Sequence, residues 1–377
     1  MVYREFGNTG IKMSTLGFGA MRLPMMDLNG KRVIDEDKAI PMIHRAFELG
    51  VNYIDTAPGY CDGLSEITVG KAVNSWKNGR IYVSTKNPIE DNSGDHWRAR
   101  LENSLKKINR DSIDFYHMWG INLATYQNSI LAPNGPLEAA LRAKEEGLIQ
   151  HMSFSFHDAP DNMIPIIDSG YFESVLMQYN LLDRSNERNI DYAHSKGLGV
   201  VIMGPVGGGR LGAPSKVVQE LLGGKIKSTP ELALRFVLAN PHVSVALSGM
   251  SSIEMVEENA KVASIEGVLS EKEAAVIQEM FEENKKLAGL YCTGCRYCMP
   301  CEQGLNIPHL FTLMNYHRVY GLTDLAKAEY QKVIAGKEEH LGKDISYCIQ
   351  CGQCESKCPQ HLHIIEKLAE TEQALRG

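Results

Sequence analysis

The stretch GVNYIDTAPGY, residues 50–60, carries the first side chains that could do chemistry. It reads as a short buried strand, Val51 to Asp55, that ends on a carboxylate and breaks into a Thr-Ala-Pro-Gly loop leading to Tyr60. Strand side chains alternate faces, so Tyr53 and Asp55 point the same way. A carboxylate closing an apolar strand is costly without a partner. Lys86 ends the run IYVSTK on the face of Tyr82 and Ser84 and supplies the matching cation. An ammonium beside Tyr60 favours the phenolate and is expected to lower the tyrosine pKa. A phenol so placed can protonate a carbonyl oxygen or take the proton of an alcohol. The plainer readings are an Asp–Lys pair that only neutralises a strand end, or a loop Asp capping the next helix below a surface tyrosine. Cysteine is the second group. Cys61 stands alone, a small packed residue or a thiol at the mouth of the fold. The other eight of the nine form two runs, Cys292-x2-Cys295-x2-Cys298-x2-Cys301 and Cys348-x2-Cys351-x2-Cys354-x3-Cys358-Pro359. Three thiolates at this spacing wrap one face of an iron–sulfur cube, and a remote cysteine closes it. Two four-thiolate zinc sites would use the same side chains. The tight spacing and the final Cys-Pro favour iron–sulfur.

The elements that must position these residues alternate. Strand-like runs occur at 15–18, 52–55, 81–86, 113–119, 151–156, 174–179, 199–203 and 243–247. Amphipathic helical stretches lie between them, at 37–49, 65–76, 96–108, 137–146, 189–195 and 231–239. Thr229-Pro230 reads as an N-cap followed by Pro at the first helical position. Eight such units predict an α/β chain folded as a (β/α)8 barrel, whose chemistry sits at the strand C-termini. A doubly wound open sheet is the alternative, but no G-x-G-x-x-G follows the first strand. Two longer loops, 120–136 and 205–214, then fall on the active face. The glycine run of the second suits a backbone passing close to a ligand such as a phosphate. After Ser264 the pattern changes to one polar helix, 270–288, opened by a Ser270-x-x-Glu273 capping box.

Composition sets the limits. A chain of 377 residues suggests a large domain plus a small one, and 44% apolar content is ordinary for a globule. A net charge of −7 with interspersed signs argues against a nucleic-acid partner. The N-terminus lacks an apolar signal segment and no run is long enough to span a bilayer, so a cytoplasmic protein without a membrane partner is expected. The expected organisation is a barrel over 1–268, a connecting helix over 269–288 and a cysteine domain over 289–377.

With MVYREFGNTGIKMSTLGFGAMRLP, GVNYIDTAPGY, YVSTK, TPELALRFVLANPHV and a late EEN, the chain resembles the aldo-keto reductase superfamily over roughly residues 1–263. The resemblance implies a barrel that moves hydride between NAD(P)H and a carbonyl, with the family's Asp, Tyr and Lys at Asp55, Tyr60 and Lys86. The family's fourth residue, a His in the fourth strand, falls on Trp119. His117 lies two residues earlier on the same face, about 6–7 Å deeper, as a displaced catalytic group or a packed core histidine. Trp119 can donate an N–H but cannot titrate. His157 is another inward candidate. The cofactor contacts the resemblance implies are Ser155, Tyr179, Gly204, Gly207, Arg210, Ser248, Glu258 and Asn259. Several others are replaced. Phe156 stands for the amide-binding Asn and Leu176 for a Gln, while Gly249 and Met255 stand for the Lys and Arg that meet the NADP phosphate. A buried phosphate without cations is unfavourable, which leaves NAD, or no nicotinamide, open.

The C-terminal part resembles a helical two-[4Fe–4S] ferredoxin module, with the insert 306–342 reading as helical. In that pattern the fourth cysteine crosses over. The resemblance thus groups Cys292, Cys295, Cys298 and Cys358 around one cluster, and Cys348, Cys351, Cys354 and Cys301 around the other. Barrel reductases with such a module form a subgroup that this chain resembles throughout. Two functions follow as expectations. One is an oxidoreductase on a small carbonyl or alcohol substrate, with Tyr60 as acid/base and clusters exchanging electrons with the site or with a redox partner protein. The other is a non-redox barrel, a lyase or ligand-binding module, with structural or sensing clusters.

Overall fold

The structure, a computed structural model, describes residues 1–181, 183–206, 228–267, 269, 273–275, 277–278, 298–318, 321–358 and 362–377. The chain divides into two compact units, Met1–Gly209 with Ala233–Val268, and Arg210–Leu232 with Leu269–Gly377. Eight parallel strands of the first unit close into a barrel: β3 (Leu16–Gly19), β6 (Tyr53–Asp55), β7 (Tyr82–Pro88), β8 (Ile113–Ile121), β9 (Ile149–Phe156), β10 (Ser174–Gln178), β11 (Gly199–Met203) and β12 (Val245–Ser248), with β12 pairing back onto β3. The (β/α)8 expectation is met, strand by strand. Helices α1 (Glu36–Glu48), α2 (Ser65–Ser75) and α3 (Gly94–Ile108) follow the first three barrel strands. Each turns an apolar stripe inward, as with Ala39, Met42, Ile43, Ala46 and Phe47 of α1. Ser93 caps α3 by accepting from the His96 amide, and Asn109 ends it in a left-handed conformation. The helix Thr229–Ala239 is capped one residue earlier than expected. Ser228 Oγ accepts from the Glu231 amide at 3.2 Å.

Two hairpins have strands too short to show a period in the sequence. One, β1 (Tyr3–Glu5) with β2 (Lys12–Ser14), delivers Phe6 and Met13 into the barrel interior. Phe6 is fully buried with its ring 4.8 Å from Phe115, and Tyr53, Leu176, Val201, Val245 and Leu247 complete the plug. Gly17 makes room for it. A Cβ there would lie 2.7 Å from Val245 and Leu247 and 3.1 Å from Tyr53. Arg4 staples the hairpin to the carbonyls of Leu238, Asn240 and Val243. The second hairpin, β4 (Met25–Leu28) with β5 (Lys31–Ile34), follows β3 directly. The strand expected to end at Trp119 runs on to Ile121, and the loop after it contains helical turns, Leu123–Thr125 and Tyr126–Ile130, started by an Asn122 side-chain cap.

The second unit is helical where described. Helices Ile307–Arg318, Thr323–Ala335 and Ile364–Leu375 pack together through residues such as Leu310, Phe311, Tyr330, Val333 and Leu368. Asp344, four residues before Cys348, accepts from Tyr330 at 2.7 Å and from Arg376 and Ser346 at 2.6 Å. These bonds tie the loop entering the cysteine run to the C-terminal helix.

Candidate active site

The polar residues of the barrel lie above the aromatic plug because alternate residues of β6, β7 and β8 face inward. Moving up β6, Tyr53 belongs to the plug and Asp55 to the site. Along β7, Ser84 and Lys86 succeed Tyr82 on the same face. Lys86 is 1% exposed and donates to Asp55 Oδ1 at 2.6 Å and to the Thr56 carbonyl at 2.8 Å. Ser84 Oγ donates to the other carboxylate oxygen at 2.9 Å. The loop after β6 brings Tyr60 back over the lysine, whose Nζ sits 4.6 Å from the ring centroid and close enough to the hydroxyl to interact with it. The sequence-expected trio is therefore assembled. Burial drives the Lys86 pKa down, but Asp55 and Tyr60 reverse this and leave it raised, so the amine stays charged. Burial raises the Asp55 pKa, opposed by Lys86 and Ser84.

The expected acidification of Tyr60 is not found. Burial pushes its pKa above 10, and the opposing pull of Lys86 only reduces the rise. The low dielectric that strengthens the cation's field also penalises the phenolate, and the second effect is larger. Tyr60 is thus a protonated donor at neutral pH.

His117 and Trp119 separate in depth as the strand period requires. Trp119 is half-buried at the mouth, its ring edge-on to Tyr60 at 6.0 Å. His117 is fully buried with Nε2 2.9 Å from Ser84 Oγ, and its pKa is lowered to about 3 by burial and by Lys86. It does not reach the mouth. His157 lies just beyond β9 and is exposed, with its ring edge 3.9 Å from a Cβ built on Gly120, and partial burial lowers its pKa. Cys61 follows Tyr60 with a positive φ of 51°, and its thiol is partly exposed, 3.5 Å from the Met21 carbonyl.

The expected nicotinamide contacts are internally engaged. Ser155 Oγ accepts from the Gly120 amide at 2.7 Å. Tyr179 is 2% exposed, donates to Glu187 at 2.8 Å and packs its ring 5.2 Å from Phe236. The Gly204 carbonyl accepts from Asn180 at 3.1 Å, and Ser248 Oγ from Asn259 at 3.0 Å. Glu258 is exposed. Gly207 and Arg210 lie outside the described residues, as do Cys292 and Cys295 and most of the expected connecting helix.

In the second unit, Cys298, Cys301, Cys348, Cys351 and Cys354 line one cavity together with Pro300, Leu305, Ile307, Ile365 and Leu368. Cys358 is not among its lining residues. Thiolates around an apolar hollow suit an iron–sulfur cube, whose sulfide faces tolerate apolar walls. Ser84, which hydrogen-bonds both Asp55 and His117, was not singled out as functional from sequence. Its place two residues before Lys86 on one strand face was the available signal.

A model of the aldo/keto reductase family matches residues 15–282, and a 4Fe-4S dicluster domain model matches residues 291–365. L-galactose dehydrogenase of Arabidopsis thaliana is 29% identical over 311 residues, covering 75% of this chain and 95% of its own. The NADH-specific methylglyoxal reductase of Escherichia coli is 28% identical over 330 residues, covering 73% and 97%. Among solved structures, the holo form of an aldo-keto reductase from Bacillus halodurans superposes with a TM-score of 0.63 at 29% identity, covering 74% of this chain and 96% of that one.

Proposed function

Since the chain belongs to the aldo/keto reductase family and is an oxidoreductase carrying a 4Fe-4S domain, we propose that its barrel interconverts a small carbonyl compound and its alcohol, with Tyr60 as the proton donor and Lys86 and Asp55 holding it in place. The observation that carries this reading is the buried Lys86, fixed by Asp55 and Thr56 and turned toward the Tyr60 phenol at the strand C-termini. In carbonyl reduction the carbonyl carbon must gain a hydride equivalent, two electrons with one proton, from the electron donor to form the new C–H bond, while the C=O π bond opens and the phenol gives the second proton to the developing alkoxide. The fixed ammonium stabilises the phenolate left behind. Trp119 stands where the family has a histidine, so Tyr60 is the proton source at the mouth and Trp119 contributes an aromatic wall. The relatives span both directions by name, a dehydrogenase and a reductase.

The cysteine unit is proposed to hold two [4Fe–4S] clusters, Cys301, Cys348, Cys351 and Cys354 around one, and Cys292, Cys295, Cys298 and Cys358 around the other. The first four line one cavity, which Cys298 of the other set lines as well. Bound clusters supply one-electron transfer, exchanged with a redox partner protein or with the barrel substrate. The described residues fit a nicotinamide poorly: Phe156 and Leu176 offer its amide no hydrogen bond and Tyr179 is buried on Glu187, which leaves the Ser155 hydroxyl, an acceptor from Gly120, with a proton to donate. Gly249 and Met255 bring no cation of their own to a 2′-phosphate and the NADH-specific relative favours NAD, while the Arg22 stem packs over Gly249 and is the cation at hand if a phosphate binds. A site of soluble, cytoplasmic metabolism is the corresponding expectation.

Anaerobic purification followed by iron, sulfide and bound-cofactor analysis tests the cluster content. Stopped-flow mixing with NADH or NADPH then tests the electron route. Clusters that stay oxidised on mixing support electrons arriving through the clusters, and rapid bleaching by either nucleotide counts against it.

A further inference from the structure

The hydrogen bonds below Lys86 have a direction that the proton count decides. An ionised Asp55 can only accept, and it takes one bond on each oxygen, from Lys86 Nζ at 2.6 Å and Ser84 Oγ at 2.9 Å. A serine hydroxyl has one proton, so Ser84 spends it on the carboxylate. The 2.9 Å contact between His117 Nε2 and Ser84 Oγ must then be donated by the histidine. This fixes the proton of the neutral ring on Nε2 and leaves Nδ1 with no hydrogen-bond partner among the described residues, while the Phe154 backbone near the ring acts as an acceptor that partly opposes the lowering of the His117 pKa. All of the groups are buried, with Ser84 and His117 at 0% exposure and Asp55 at 3%. Strand register supports the arrangement, since Lys86 and His117 are paired on β7 and β8 and Ser84 lies two residues back on the Lys86 face.

We infer that His117 and Ser84 are positioning residues, a one-way chain of donors from imidazole to hydroxyl to carboxylate that locks Asp55, and through it aims the Lys86 ammonium at Tyr60. The histidine never meets substrate. It holds Ser84, whose hydroxyl holds the far oxygen of Asp55, so the carboxylate cannot rotate away from the lysine. The kinetic consequences rest on the proton-donor reading of Tyr60. The tautomer does not.

The test uses the full-length holoprotein labelled with 15N-histidine, with the His117 signal identified by its loss in His117→Gln. Long-range 15N–1H correlation at neutral pH is expected to show a neutral ring protonated on Nε2. A proton on Nδ1 reverses the chain and overturns the inference. In kinetics, His117→Met keeps the volume and removes the donor, and should lower kcat by about 10- to 100-fold with KM little changed. His117→Gln restores an N–H at the same place and should recover most of that loss. On a Ser84→Ala background the Met and Gln variants should be equal. Equal kcat for the two in the presence of Ser84 overturns the inference, because packing alone would then explain the site. Melting temperatures of both variants separate this from misfolding. Full turnover by Tyr60→Phe would remove the proton-donor reading and leave the relay to be decided by the nitrogen spectrum.

Discussion

Removing one member of the buried Asp55–Lys86 pair should cost more than removing both. Lys86→Met leaves Asp55 with Ser84 as its remaining side-chain donor among the described residues, in a place where the pair is only 1–4% exposed. An uncompensated buried charge costs about 3–5 kcal/mol, and Asp55→Asn should cost a similar amount by stranding the ammonium. In Lys86→Met/Asp55→Asn neither charge remains, so the double variant should recover much of the sum. The coupling read from the four proteins should reach at least about 2 kcal/mol. The assay is equilibrium urea unfolding read by tryptophan fluorescence. The three tryptophans, Trp76, Trp97 and Trp119, all lie in the first unit, so the signal reports the barrel and not the cysteine unit. Losses that simply add, with coupling below about 0.5 kcal/mol, would refute the reasoning, since the two charges would then not depend on each other.

Further outcomes follow from the same geometry. Burial raises the Tyr60 pKa above the ordinary phenol value, so carbonyl reduction, which needs the phenol, should show no titration from neutral into mildly alkaline pH, while alcohol oxidation, which needs the phenolate, should keep rising beyond the ordinary phenol range. A kcat profile for oxidation that turns near pH 7 would show the acid/base group to be something else. His117 has a folded pKa of about 3 against an ordinary 6.5, so the unfolded chain binds its proton first between those values. Barrel stability should therefore be complete above pH 6.5 and fall on acidification by about 1.4 kcal/mol per pH unit for this one proton. His117→Gln should remove that slope, and an unchanged slope would contradict it. Cys301→Ser should halve the iron and labile sulfide per chain while sparing the cluster held with Cys358. Retention of full iron and sulfide by Cys301→Ser would contradict its place as a ligand beside Cys348, Cys351 and Cys354.

Much of this architecture could be read in the sequence because the barrel imposes a strict period. Each strand is short, apolar and followed by an amphipathic helix, and the inward face of IYVSTK names Ser84 with Lys86 as readily as counting does. Short hairpins carry no comparable period. β1 and β2 are three residues each, and the role of Phe6 as a barrel plug comes from packing across more than a hundred residues to Phe115. The depth of His117 below Trp119 was also legible, being one pleat. What it does there was not, because its partner sits on a neighbouring strand and only the register of β7 against β8 brings them together. The sign of the Tyr60 shift failed for a different reason. The sequence shows that a cation is near but not how much water the pair has lost, and burial decides the sign. The cysteine spacing names a cluster chemistry, since local chain geometry sets which thiolates can share a face.

The most direct measurement is turnover of aldehydes and ketones by Tyr60→Phe beside the wild-type holoenzyme, with the electron donor that reduces the wild type. The proton-donor account predicts a loss of at least about 100-fold in kcat on every compound the wild type accepts, with iron content and barrel unfolding unchanged. Wild-type turnover from a protein without that hydroxyl would contradict it.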